Sequence, residues 1–333
     1  MIFNFRRLLG TLAMGVATLA SLPAMAGPYS QMFVFGDSLS DTGNVFLASG
    51  GAQPPAGQPY FSGRFSDGPV WVESLAAGLG LAAVPSLAGG TNFAFAGART
   101  GASGSPPGLM AQAIGMWGAV NAAADPNALY VVVGGGNDMR DARSAFWGNS
   151  AADDQGRQAA AQAAVDNLYL TLQFLASRGA HHVLLSNLPD LGNTPEAALM
   201  GLQYASSDVS SRFTQLMLAL EVHAEATLGL DIDLFDMAGL ANDIRNDALT
   251  NGGAVYGITN ATAPCTGFAL SALMGGTSCN VSAFADALHP SARAHAIFGA
   301  AALSLVIPEP GSAWLVVLAV AGLGLQRRRA ATV

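Results

Sequence analysis

Ser38 lies in the segment Phe33-Val34-Phe35-Gly36-Asp37-Ser38-Leu39-Ser40-Asp41-Thr42-Gly43-Asn44, directly after an apolar run. Near the other end of the chain stands Asp286-Ala287-Leu288-His289-Pro290. A serine hydroxyl is a weak nucleophile until a base takes its proton, and the base needs a third group to orient it and stabilise its charge. Residues three apart can share one side of a turn, so Asp286 can orient His289. The residue types are those of acyl transfer, with Ser38 as nucleophile, His289 as base and Asp286 as orienting acid.

These residues must be positioned by regular elements. Apolar runs bounded by turn residues read as buried strands over 31–35, 129–133, 182–186 and 231–235. Helical periodicity separates them, over 155–177, about 206–227, and from residue 290 or 291 to 303. Arg178-Gly179 closes the first of these helices. Strands alternating with helices imply a parallel sheet covered on both faces, with the site at the carboxyl ends of the strands. Ser38 and Asn137 both follow expected strands. Two long irregular stretches, 44–70 and 246–283, are candidates for walls or lids over the site.

At these residues the chain resembles the GDSL lipase/esterase family, also called SGNH hydrolases. Four blocks match in order. The first contains Ser38 in the nucleophile position. The second is Gly90-Thr91-Asn92-Phe93-Ala94-Phe95-Ala96-Gly97-Ala98, with Gly97 in the oxyanion position. The third is Gly135-Gly136-Asn137-Asp138, with Asn137 as a side-chain oxyanion donor, and the fourth is Asp286-Ala287-Leu288-His289. The stretch Gly63-Arg64-Phe65-Ser66-Asp67-Gly68-Pro69-Val70-Trp71 is similar to a segment common in the secreted branch. Ala96 departs from the pattern, since many members have a second glycine there.

The resemblance implies a three-layer α/β/α sandwich around a parallel, flavodoxin-like sheet. It implies a secreted serine carboxylester hydrolase of esterase or lipase type, acting without a cofactor on lipid or short-chain acyl esters. The Ser38 and Gly97 backbone N–H groups and the Asn137 side chain would hold the oxyanion. The alternatives are an O-acetyl polysaccharide esterase, an acyltransferase, or a non-catalytic matrix-binding protein on the same scaffold.

Residues 1–26 read as a secretory signal: Arg6 and Arg7, a mostly apolar run, then the small-x-small site Ala24-Met25-Ala26. At the other end, Pro308-Glu309-Pro310 precedes an apolar run and Arg327-Arg328-Arg329. This tail, 308–333, looks like the PEP-CTERM sorting signal of Gram-negative bacteria that make extracellular polysaccharide. That resemblance implies transient anchoring by the C-terminal segment, cleavage by an exosortase, and release to the cell surface or matrix. A permanent anchor is the alternative. The hydrolase domain expected between these segments is 27–307.

All 14 basic residues of the chain are arginine, which excludes a P-loop lysine and any Schiff-base lysine. Between the two ends, nine basic residues face twenty-one acidic ones, more acidic than the net −8 of the whole chain. That charge opposes nucleic-acid binding. Cys265 and Cys279, the only cysteines, lie in a Gly/Thr/Ser/Asn-rich stretch. In an exported chain a disulfide between them is the favoured reading, with two free thiols as the alternative. Asp37, Asp41 and Asp138 are expected to order loops as hydrogen-bond acceptors. His181, His182, His223 and His295 are expected to be structural or partly exposed, with none forming a metal cluster with carboxylates. Trp71, Trp117 and Trp147 are expected to pack in the core or line an acyl pocket.

Overall fold

A computed structural model describes residues 28–307. The expected signal at 1–26 and the expected tail at 308–333 lie outside the described residues. Among the described residues no helix is long and apolar enough to cross a membrane.

Four strands form a parallel sheet: β1 (Met32–Gly36), β2 (Leu129–Val133), β3 (His182–Ser186) and β4 (Asp231–Phe235), hydrogen-bonded in that order. A fifth segment lies along the free edge of β1. There the Val34 N–H donates to the Thr91 carbonyl at 3.1 Å, and the Phe93 N–H donates to the Val34 carbonyl at 2.7 Å. Counted in chain order, the spatial order is therefore 2-1-3-4-5, that of flavodoxin-like doubly wound sheets. Every residue of β1 and β2 is buried, which is why both read as continuous apolar runs rather than alternating ones. β4 carries Asp231 and Asp233 and is partly exposed, as suits an edge strand.

The α-helices of five residues or more among the described residues are, in chain order, α1 (Asn44–Ala48), α2 (Trp71–Gly78), α3 (Gly136–Ala145), α4 (Ala151–Ser177), α5 (Pro195–Met200), α6 (Gln203–Leu228), α7 (Met237–Thr250) and α8 (Ala292–Val306). α2 packs with α8 on one face of the sheet, and α4 packs with α6 on the other. Phe33 and Phe35, two apart on β1, both meet the edge of buried Trp117 on the α4 side. Trp71 packs against Phe235 on the α2 side.

α4 begins four residues earlier than its periodicity predicts. Ser150 caps it: Ser150 Oγ accepts from the Asp153 N–H at 3.2 Å, and Asp153 Oδ2 accepts from the Ser150 N–H at 3.1 Å. α8 starts after Ser291, whose Oγ accepts from the Ala294 N–H at 3.2 Å. The stretch 246–283, expected to be irregular, is partly regular. Its first five residues complete α7, and 260–264 (β5) pairs with 282–284 (β6) in a small second sheet. Cys265 and Cys279 are bonded to each other and close the loop between these strands. In the chain-entropy account such a closure contributes about 2 to 4 kcal/mol.

Register brings the strand ends to one level. Gly36 pairs with Val133, Val133 with Ser186, and Ser186 with Phe235. The loops that follow β1, β2 and β3 therefore emerge side by side along one edge of the sheet.

Candidate active site

β1 ends at Gly36, where a Cβ would lie 2.8 Å from the Val133 carbonyl oxygen, so only glycine lets the chain turn this close to β2. The next residues coil tightly. The Asp37 carbonyl accepts from the Ser40 N–H at 3.0 Å and the Asp41 N–H at 2.9 Å, and Asp37 Oδ1 accepts from the Leu39 N–H at 3.0 Å. Ser38 sits half-buried on this turn. Asp41 then caps α1: its Oδ1 accepts from the Gly43 N–H at 2.7 Å and the Asn44 N–H at 2.6 Å. Its Oδ2 accepts from the Ala96 N–H at 2.8 Å, which ties the Ser38 turn to the Gly97 loop.

Asp286 and His289 share a turn after β6, closed by the Ala285 N–H donating to the His289 carbonyl at 2.9 Å. Asp286 Oδ1 accepts from the Leu288 N–H at 2.8 Å and the His289 N–H at 2.6 Å. Its Oδ2 lies 2.7 Å from His289 Nδ1, and His289 Nε2 lies 2.9 Å from Ser38 Oγ. The carboxylate can only accept, so it fixes the ring proton on Nδ1 and leaves Nε2 free to accept from the serine. Burial acts to raise the Asp286 carboxyl. The His289 ring, the His289 N–H and the Tyr60 hydroxyl outweigh it and hold the carboxyl well below the usual carboxylate range.

Gly97 has φ +84°, a left-handed conformation that a side chain would strain. Asn137 stands in the first turn of α3, after Gly135 at φ +114°, where a Cβ would come within 2.7 Å of Phe213. Asn137 Nδ2 donates one hydrogen to the Ala98 carbonyl at 2.9 Å. The same amide carries a second hydrogen. Ser38, Gly97, Asn137 and His289 line one open cleft of about 480 Å³, whose other walls include Val45, Phe65, Phe95 and Pro106. A second cleft, walled by Pro55, Gln58, Tyr60 and Leu270, meets the first at His289 and Arg140. Both halves of 44–70 and the disulfide-closed loop thus contribute walls.

Several participants have no local sequence signal. The Tyr60 hydroxyl donates to Asp286 Oδ2 at 2.6 Å across 226 residues of chain. Glu196, in the first turn of α5, donates its backbone N–H to the Ala287 carbonyl at 2.7 Å and so braces the Asp286–His289 turn. Its carboxylate pairs with Arg140, 2.5 Å away, and with the almost fully buried Arg143. Burial acts to raise the Glu196 carboxyl, but these two arginines outweigh it and lower it. Arg140 is three residues after Asn137 on α3, a spacing that could have flagged it. Phe65, tilted against the His289 ring at 5.2 Å, lies inside the Gly63–Trp71 motif stretch.

The remaining candidates divide clearly. Asp138 accepts from the Thr100 N–H at 3.0 Å and the Thr100 hydroxyl at 2.9 Å, and Asp37 and Asp41 bind backbone as described. Burial pushes the Asp37 carboxyl up to about 6, against the opposing Leu39 N–H. His295 is buried on α8, away from the cleft, and its Nδ1 accepts from the Trp71 N–H at 3.2 Å. Trp71 and Trp117 are core, and Trp147 is exposed, so none of the three lines the cleft. One expectation needs correction: His181 and His182 do meet a carboxylate. β3–β4 pairing sets Asp231 opposite His182, and the three residues' ligand atoms lie within 4.8 Å of one another. This group sits at the amino end of the sheet, away from Ser38, and His182 is already engaged with Asp231 at 2.9 Å.

Comparison with known proteins adds the following. The family model described as GDSL-like Lipase/Acylhydrolase matches residues 32–302. The chain is 33% identical over 217 residues to a phosphatidylcholine-sterol acyltransferase of Aeromonas hydrophila, covering 64% of this chain and 59% of that one. It is 30% identical over 270 residues to Esterase EstA of Pseudomonas aeruginosa, covering 68% of this chain and 39% of the esterase. The chain therefore spans less than two thirds of these relatives' lengths. Among solved structures, an extracellular lipase from Streptomyces rimosus is 15% identical with a TM-score of 0.45, covering 83% of this chain and 99% of that one.

Proposed function

The chain belongs to the GDSL-like lipase/acylhydrolase family, and from that premise we propose that it is a serine carboxylester hydrolase with Ser38 as nucleophile. The observation that carries the reading is the unbroken line from Ser38 Oγ to His289 Nε2 at 2.9 Å and from His289 Nδ1 to Asp286 Oδ2 at 2.7 Å. His289 takes the Ser38 proton as Oγ bonds to the ester carbonyl carbon. The oxyanion that forms is held by the Ser38 and Gly97 N–H groups and the free hydrogen of Asn137 Nδ2. Collapse breaks the ester C–O bond, and His289 returns the proton to the departing alcohol. Water then repeats the sequence and frees the acid. Asp286 stays ionised throughout and stabilises the imidazolium.

The apolar wall of the Ser38 cleft supports an acyl chain there. His289 must reach the leaving oxygen, so the alcohol belongs on its side, towards the second cleft. That second cleft also supports an alternative fate, in which an acceptor alcohol replaces water. The acyltransferase similarity favours including this alternative.

Export to the cell surface or matrix is part of the proposal. The terminal segments support it, and so does the Cys265–Cys279 disulfide, since such bonds persist in oxidising compartments. Processing by an exosortase and action on polysaccharide esters rest on the tail alone.

The test is hydrolysis of a chain-length series of nitrophenyl esters by the purified protein and its Ser38→Ala variant, with fluorophosphonate labelling of both. Activity and labelling confined to the wild type are expected. Absence of both from the wild type would overturn the reading in favour of a binding role. Product partitioning on addition of alcohols would move it to acyl transfer.

A further inference from the structure

Asp286 Oδ2 receives two donors: His289 Nδ1 at 2.7 Å and the Tyr60 hydroxyl at 2.6 Å. Tyr60 is itself held from behind. Its ring meets Phe268 edge-on at 5.0 Å and Phe65 at 5.6 Å, and Phe65 in turn tilts against the His289 ring. Phe268 belongs to the loop closed by Cys265–Cys279, and it packs with Cys265 and Ala285 in a small cluster that also contacts Tyr60. A continuous line of contacts thus runs from the disulfide through Phe268 and Tyr60 to Asp286.

We infer that Tyr60 is a positioning residue that sets the charge Asp286 presents to His289, and that the disulfide-closed loop holds it in place through Phe268. The inference rests on the proposed roles of Asp286 and His289. A hydroxyl donating to a carboxylate draws off part of the charge that the carboxylate offers its other partner. Burial and the neighbouring Asp286 charge push the Tyr60 phenol far above its ordinary range, so it remains a donor throughout the working pH range. With Tyr60 in place, Asp286 orients the imidazole while part of its charge is drawn to the phenol on the same oxygen.

The other charged or titratable groups around His289 are Asp37 on the nucleophile turn, Arg140 on α3 with its partner Glu196 on α5, and His295 on α8. A Tyr60→Phe variant leaves all of them unchanged. The difference between variant and wild type therefore isolates the hydroxyl.

The experiment is an NMR titration of the His289 ring in the full-length protein and in Tyr60→Phe, alongside the pH dependence of kcat/KM. The midpoint of the ring titration and the acid limb of the rate profile should both move to higher pH in the variant, by about half a unit. Phe268→Ala, and separately the wild type with its disulfide reduced, should move them in the same direction by less. An unshifted midpoint in Tyr60→Phe would overturn the inference, and so would a loss confined to KM for bulky alcohols, which would make Tyr60 a substrate contact. If Tyr60→Phe does not fold, the Phe268→Ala and reduced samples decide the matter by the same readout. The NMR midpoint needs no turnover, so an inactive wild type would count against the esterase reading and leave this inference to be judged on the titration.

Discussion

Asn44 and Asn92, which come from separate motifs, meet in the interior: Asn44 Nδ2 donates to the Asn92 carbonyl at 2.8 Å and to the Ala94 carbonyl at 2.9 Å. Asn92 returns the connection, its Nδ2 donating to the Ser40 carbonyl at 2.7 Å and to Thr42 Oγ1 at 3.0 Å. Both side chains are fully buried. Together they fasten the turn that carries Ser38 to the segment that carries Gly97.

Replacing Asn44 with Ala leaves the buried Ala94 carbonyl without a partner, while the Asn92 carbonyl keeps the Ser86 N–H, and it loosens that fastening. The expected cost is about 2 to 4 kcal/mol of stability. Denaturant unfolding checks this, and kcat/KM should fall as well because Gly97 loses its support. A variant with wild-type unfolding would show that the fastening contributes nothing.

Asn137→Ala removes a donor aimed at charge that develops during reaction. On the proposed mechanism kcat should fall about a hundred- to a thousand-fold with little change in KM. The circular dichroism spectrum and melting temperature should stay close to wild type, since the lost bond to Ala98 is partly exposed. A comparable rise in KM would instead mark Asn137 as a ground-state contact.

His295 makes stability depend on pH in a defined direction. Burial, with a smaller contribution from the His289 charge, lowers its pKa from 6.5 to about 3 in the fold. Between those values the unfolded chain binds the additional proton, so stability is fully present above about 6.5 and is lost as pH falls towards 3. The loss between pH 7 and pH 5 should be roughly 2 kcal/mol. His295→Asn keeps an acceptor for the Trp71 N–H and should flatten this dependence in urea unfolding at the two pH values. An unchanged slope would mean that His295 protonates in place.

Glu196 is the counter-charge of Arg143, and its removal leaves a buried guanidinium unpaired. Glu196→Gln should cost about 3 kcal/mol. Adding Arg143→Met should recover much of it, because no buried charge then remains unpaired, and the Arg140 guanidinium is partly open to water. A double variant no more stable than the single one would place the damage in the Asp286–His289 turn that Glu196 braces through its backbone.

Legibility followed the range of the interactions. β2 and β3 could be read to the residue because near-continuous burial in a parallel sheet demands apolar runs with turn residues at their ends, whereas the edge strand β4 was marked only by Ile232, Leu234 and Phe235 among its aspartates. The helix starts were off by a few residues because Ser150 and Ser291 decide them by capping, a local event that periodicity does not report. α7 (Met237–Thr250) was not among the expected helices, and its last five residues fell in a stretch expected to be irregular, because this polar segment gives little hydrophobic periodicity. Tyr60 was invisible for a different reason: a lone tyrosine in a long loop says nothing about which carboxylate it will reach.

By itself the sequence determined the alternation of strands and helices, the motif residues Ser38, Gly97, Asn137, Asp286 and His289, and the glycines that their turns require. These depend on burial pattern and backbone conformation, which each short stretch carries with it. Tertiary structure alone decided that Thr91–Phe95 runs along β1, that Glu196 braces the Asp286–His289 turn, that Asp231 meets His182, and that Tyr60 shares an oxygen of Asp286 with His289. Each of these is a contact between segments far apart in the chain, and only the packing of the whole sheet and its loops brings them within hydrogen-bonding distance.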